Sequence, residues 1–220
     1  YGEYPAVIDV SFNISKGESI GLLGPNGAGK STTMKVMTGY TPPTSGNVNI
    51  GGYDIIKNSI DARKLIGYLP ESVPLYTDMT VKEYLSYMGS LRGMGKNILN
   101  RVDEVIDLTS LNQYKNVLIS KLSKGYRQRT GIAQAILHKP KILILDEPTI
   151  GIDPVQVVET RKLIQNLGEE HTLILSSHIL PEVTSLCNRV LVIHEGKIVA
   201  DDTPENLSNR LQTSNLCEIK

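Results

Sequence analysis

The sequence has no tryptophan, one phenylalanine and only two cysteines in 220 residues. Cys187 and Cys217 lie far apart with no partner motif around either, which excludes a disulfide framework and fits a reducing compartment, with the cytoplasm as default. An excess of charge is also missing, because 23 basic and 23 acidic side chains cancel. A protein devoted to holding nucleic acid needs a net basic face to displace counterions, so no nucleic-acid partner is expected. Long apolar runs are absent too. Stretches such as Ile142 to Leu145 and Leu191 to Ile193 fall far short of the roughly 20 residues that span a bilayer. The chain is expected not to cross a membrane by itself. What remains, 40% hydrophobic and 21% charged residues, describes one ordinary folded domain spanning residues 1–220.

The order of patterns along the chain is α/β. Val7 to Ile20 reads as short strands broken by a turn at Lys16-Gly17-Glu18, and Ser19 to Leu23 runs apolar into a glycine-rich loop. Lys30 to Thr38 reads as a helix stopped at Gly39, and Asn47 to Ile50, before Gly51-Gly52, as hairpin material. The middle third is helical. Thr80 and Glu83 form a capping box, and Val81, Tyr84, Leu85 and Met88 follow at the spacing of one buried helix face. Ile98, Val102, Val105 and Ile106 suggest a second helix, and Tyr126 to Leu137 a third, begun by Ser123. Residues 71–139 are therefore expected to form a helical subdomain. Lys141 to Leu145 and Leu173 to Ser176 are continuously apolar, as in parallel strands buried on both faces. A helix opened by Asp153, with Pro154 in its first position, separates them. Val190 to Ile193 and Lys197 to Ala200 close the region as a hairpin across Glu195-Gly196. The expected architecture is a mainly parallel sheet core with an antiparallel β subdomain and a helical subdomain.

Three constellations carry chemistry. Gly24-Pro25-Asn26-Gly27-Ala28-Gly29-Lys30-Ser31 fits G-x-x-x-x-G-K-S/T, after an apolar strand and before a helix, the P-loop of nucleoside triphosphatases. Glycines let successive N–H groups point into one concavity, and the following helix adds the positive end of its dipole. Lys30 supplies a charge for the β- and γ-phosphates, Ser31 a hydroxyl for Mg²⁺, and Thr32 a donor for the α-phosphate. Asp146 and Glu147 end the Leu145 strand, where open α/β sheets bind ligands. Asp146 is suited to hold Mg²⁺ and Glu147 to take a proton from an attacking water. His178 stands after the next apolar run, placed to bond the γ-phosphate and align that water. His138, His171 and His194 lack such a context and read as surface or packing residues.

Together these residues resemble the nucleotide-binding domain of ABC transporters, over Tyr1 to about Leu207. The discriminating stretch is Leu122-Ser123-Lys124-Gly125-Tyr126, which looks like the L-S-G-G-Q signature. Ser177-His178 resembles the switch-histidine motif and Gly151-Ile152-Asp153 the D-loop. The resemblance implies that Tyr1 stacks on adenine, with Tyr4 competing for the role, and that an amino-terminal strand is missing. Glu71 stands where the family carries a glutamine that ligates Mg²⁺, so Ser31, Asp146 and Glu71 form the implied metal set. Lys124 and Tyr126 replace the second glycine and the glutamine of the signature. These departures resemble the ABC-2 type branch of exporters.

By the same resemblance the chain hydrolyses ATP with Mg²⁺ and pairs head to tail with a second copy or a homologous ATPase subunit. Ser123, Lys124, Gly125 and Tyr126 then serve the ATP held by the opposite subunit. Integral membrane permease subunits are the implied transport partners, with residues from Tyr76 to Arg92 receiving a coupling helix at the cytoplasmic side of the cell membrane. The alternatives are a non-transport ABC ATPase or a regulatory ATP-binding cassette. The basic residues Lys121, Lys124, Arg127 and Arg129 are expected to form a solvated helix face.

Overall fold

A computed structural model describes residues 5–214, with side chains to Asn209. Strand β1 (Ser19–Leu23) runs through the phosphate loop into helix α1 (Lys30–Met37). Strands β2 (Asn49–Ile50) and β3 (Tyr53–Asp54) pair antiparallel across Gly51-Gly52, and helix α2 (Ser59–Lys64) leads to strand β4 (Ile66–Leu69). Three helices follow: α3 (Val81–Leu91), α4 (Ile98–Leu108) and α5 (Lys124–Ile136). The chain then alternates through β5 (Ile142–Asp146), α6 (Pro154–Glu170), β6 (Thr172–Ser177), α7 (Leu180–Leu186), β7 (Arg189–His194), β8 (Lys197–Asp202) and α8 (Pro204–Ser214).

The apolar runs explain the sheet. Its order is β4-β5-β6-β1-β7-β8, parallel throughout except for the β7–β8 hairpin. Successive side chains of a strand point to opposite faces. Leu143, Leu145, Leu173 and Leu175 accordingly face one core with Tyr84, Leu85 and Ile132 of the helices, while Ile144 and Ile174 face another with Ile20, Leu22 and Met34. Both faces of β5 and β6 are covered, which is why neither strand alternates with polar residues. Register sets the edge where the site lies. Ser176 is level with both Leu22 and Asp146, and Ser177 with Leu23, so the loops after β1, β5 and β6 emerge side by side.

The capping box forms as read: Glu83 N donates to Thr80 Oγ1 at 3.3 Å and Thr80 N to Glu83 Oε2 at 2.8 Å. Other local expectations change. Residues 7–18 form no strand; Ile8 N donates to Gly196 O at 2.7 Å as a single tie, and Phe12 and Ile14 pack on the second core without a ladder. α5 begins at Lys124, two residues before the expected Tyr126, because Ser123 is its cap. The basic cluster is a solvated face only at Lys121 and Lys124, which are exposed. Arg129 is 4% exposed and pairs with Glu159 of α6, and Arg127 donates to the Ile119 and Ser120 carbonyls at 3.1 and 2.7 Å. The guanidinium groups satisfy buried or loop acceptors that helical periodicity does not reveal.

Candidate functional site

Gly29 caps α1 with φ 107, a conformation that L side chains rarely adopt, and a Cβ there would lie 2.7 Å from Ala6 O. The turn this permits aims the start of α1 into a cavity of about 430 Å³. Asn26, Gly27, Gly29, Lys30, Ser31 and Thr32 line it, with Glu71 and Glu147 opposite. Gly24 and Ala28 are buried behind the loop and Pro25 is exposed. Tyr1 and Tyr4 lie outside the described residues.

Lys30 is 5% exposed, and its Nζ donates to Gly24 O at 2.7 Å and Pro25 O at 3.1 Å. The same Nζ lies 3.3 Å from Glu147 Oε1, an ion pair whose partners are 5% and 6% exposed. Oε1 has no aligned hydrogen bond, so that contact is Coulombic. A buried ammonium without a partner is costly. The loop therefore keeps its cation neutralised by the very carboxylate read as the base.

Glu147 has a backbone φ of 48, the left-handed region, which costs a non-glycine residue about 1–2 kcal/mol. Its N–H donates to Ser176 O at 3.2 Å and to Ser176 Oγ at 3.0 Å, which holds the strained turn. Ser176 Oγ in turn donates to Asp146 Oδ1. Asp146 is 1% exposed at the end of β5 and is not among the residues lining the cavity. Burial, and then the nearby Asp146 carboxylate, pushes the Tyr68 phenol well above its ordinary range. His178 Nδ1 lies 2.9 Å from Glu147 Oε2. An ionised carboxylate only accepts, so in this contact the imidazole nitrogen is the donor when Glu147 carries its charge. Lys30, Glu147 and His178 thus form one continuous chain of contacts, with Ser31, Thr32 and Glu71 around it.

The signature residues stand elsewhere. Ser123 caps α5, with Oγ accepting from Tyr126 N and from Gln156 Nε2, each at 3.4 Å. A Cβ on Gly125 would collide with the Gln156 amide, so any larger residue there would have to turn that side chain away from Ser123. Ser123 and Lys124 are exposed, and Tyr126 packs on Tyr114 with ring centroids 4.0 Å apart. Asp153 caps α6 through Gln156 N at 3.0 Å. None of these residues lines the cavity. Ser176, Thr149 and Glu182 also belong to the site; each lies within four residues of Glu147 or His178, but nothing in the sequence pairs them with one another.

A mainly parallel sheet with a phosphate loop, two carboxylates and a histidine at its carboxyl edge defines a P-loop ATPase. Residues 7–150 match the ABC transporter family. The linearmycin resistance ATP-binding protein LnrL of Bacillus subtilis is 39% identical over the whole of this chain and 71% of its own length. The bacitracin transport ATP-binding protein BcrA of Bacillus licheniformis is 39% identical over 96% of this chain and 69% of its own. Among solved structures, an ATP-binding subunit of an ABC transporter superposes with TM-score 0.84 at 28% identity, covering 98% of this chain and 90% of that one. A dimeric ATP-binding cassette in a post-hydrolysis state, bound to ADP and Pi, shares the fold with TM-score 0.84 at 24% identity, over 93% and 94% of the two chains. The chain belongs to the ABC transporter family. It is an ATP-binding, ATP-hydrolysing subunit of that class. Among the described residues no helix is long and apolar enough to cross a membrane.

Proposed function

We propose that this subunit drives export through separate integral membrane subunits, working as a head-to-tail dimer with a second copy or a homologous ATPase. The contact chain from Lys30 through Glu147 to His178 is the observation that carries the reading. Lys30 and the amides of Asn26, Gly27 and Gly29 to Thr32, which line the cavity, bind the phosphates; Glu147 accepts the proton of the attacking water; His178 aligns that water and bonds the γ-phosphate. As phosphates arrive, Lys30 Nζ exchanges its loop carbonyls and Glu147 for them, which frees the carboxylate to act as base. Tyr1 would stack on adenine.

The donors at the site fit magnesium. They are all oxygens, with the Ser31 hydroxyl and Glu71 on the cavity and Asp146 oriented by Ser176 behind it. No group of three or more His, Cys, Asp or Glu forms a metal cage among the described residues, in keeping with an ion that keeps waters and phosphate oxygens in its shell. Bound there, Mg²⁺ would neutralise charge on the β- and γ-phosphates.

Residues 1–220 act as one nucleotide-binding domain, with 71–139 as the subdomain that presents Ser123, Lys124, Gly125 and Tyr126 to the partner's ATP. A helix N-terminus facing a γ-phosphate attracts that anion and loses most of the attraction after phosphate leaves. Asp153 opens the adjoining helix on the same exposed side. The named relatives, one for linearmycin resistance and one for bacitracin transport, support an export branch; the cytoplasmic face of the membrane is where such a subunit would meet its permease. The test is purification from membranes with phosphate release as readout. We expect an integral membrane protein to co-purify, and ATP hydrolysis to stop when EDTA removes divalent cations. Recovery with ribosomes or DNA instead, or hydrolysis indifferent to EDTA, contradicts the reading.

A further inference from the structure

Glu182, in the first turn of α7, is only 1% exposed. A buried carboxylate is costly unless it is paired and hydrogen-bonded, and the partners here come from the two loops that bear the reacting groups. Oε2 accepts from Ser177 Oγ at 2.5 Å. Oε1 accepts from Thr149 Oγ1 and lies 3.8 Å from Arg161 Nε of α6, which balances its charge. Ser177 immediately precedes His178, and its hydroxyl also accepts from Ile179 N at 3.1 Å, so the contacts bracket the histidine on both sides. Thr149 follows Glu147 by two residues, beyond the left-handed turn. The His178 side chain itself is 36% exposed, and Glu147 is its hydrogen-bond partner.

We propose that Glu182 is a positioning residue for ATP hydrolysis. Its single buried carboxylate ties the Glu147 loop to the His178 loop and so fixes the imidazole against the base. The proposal rests on the reading that Glu147 and His178 carry hydrolysis. Both loops leave their strands at the same sheet edge, where Asp146 and Glu147 bond to Ser176 and His178; Glu182 adds a tie beyond the strand ends, to Ser177 and Thr149. A carboxylate that accepts from a hydroxyl in each loop holds their spacing without touching nucleotide. Small misplacements of reacting groups are expensive in rate, while the phosphate loop that sets affinity is left alone.

Glu182→Gln keeps the side chain's shape but turns one acceptor into an NH₂ donor facing a hydroxyl. On the full chain we expect kcat to fall by roughly 10–100-fold, while KM and the affinity for a fluorescent ATP analogue stay within about twofold. In a His178→Ala background the same substitution should cause no further fall, an outcome that a merely structural role does not produce. Unchanged kcat, a matching loss of ATP affinity, or the same fractional loss in both backgrounds overturns the proposal. Should Glu182→Gln not fold, Ser177→Ala and Thr149→Val each remove one arm. Each is expected to lower kcat at constant KM, and full turnover in both is the overturning result. Full turnover in His178→Ala rejects the role of His178 and this proposal with it; a slow His178→Ala beside an unaffected Glu182→Gln rejects the proposal alone.

Discussion

The carboxyl edge of the sheet and the start of α5 are two halves of different completeness. At the sheet edge the reacting groups meet partners within the chain: Lys30 with Glu147, Glu147 with His178, and Asp146 with the Ser176 hydroxyl. At the start of α5 the Ser123 hydroxyl stands exposed, holding only two long contacts of 3.4 Å. Gly125 leaves room for the Gln156 amide beside that hydroxyl, and neither residue lines the cavity. A site whose base, cation and histidine already hold one another can be built by one chain. A bare helix N-terminus with a loosely held hydroxyl becomes useful when an anion is brought to it from outside. The sheet edge thus fits the proposed place of chemistry, and the helix start fits the lid that we propose is supplied to another copy.

The largest expected effect breaks the first half alone. Glu147→Gln should lower turnover by roughly 10²–10⁴, the range for losing a positioned base, while ATP binding persists. Steady-state phosphate release beside equilibrium binding checks both parts, and unchanged turnover rejects the base assignment.

A smaller effect separates the two helix caps. Thr80 makes a complete box, so Thr80→Ala should cost about 1 kcal/mol of stability, with turnover little changed. Ser123 holds its cap bond at 3.4 Å, so Ser123→Ala should cost about half as much stability yet lower turnover. Urea midpoints together with phosphate release measure this contrast. If the two variants lose stability and activity in the same ratio, the distinction between a folding cap and a ligand cap is wrong.

The smallest effect lies outside both halves. Burial, and then the charge of Arg92, holds the His138 imidazole down at about 4 against an ordinary 6.5, despite its bond to Ile66 O. The folded state therefore resists a proton that the unfolded chain accepts. Stability should fall as pH drops from 6.5 towards 4, where the unfolded chain binds the extra proton. His138→Gln should flatten that slope in thermal melts without altering turnover at neutral pH.

Much of the first half was legible because its chemistry is local. The phosphate loop, Asp146-Glu147 and Ser177-His178 are contiguous runs at the ends of apolar strands, and the caps at Thr80, Ser123 and Asp153 are read from the residues beside them. Other features depend on partners distant in sequence. β1 lies between β6 and β7, an order that no stretch of the chain encodes by itself. α2 has only six residues with Ala62 alone buried, too little for a helical period to register. α7 is a seven-residue helix with Pro181 in its first turn, too short for a helical period to mark it in the sequence. Arg129 resembles a surface base until Glu159, 30 residues away, is brought against it. Glu182 was illegible for the same reason, since Thr149 reaches it across 33 residues.

Calorimetric titration of ATP into three separated chains, with Mg²⁺ present, tests the division between the halves most directly. Wild type and Ser123→Ala should bind with the same Kd, and Lys30→Ala should bind about 10–100-fold more weakly, the equivalent of about 1.5–3 kcal/mol for a charge-assisted phosphate contact. Undiminished affinity in Lys30→Ala, or an equal loss in Ser123→Ala, contradicts the account.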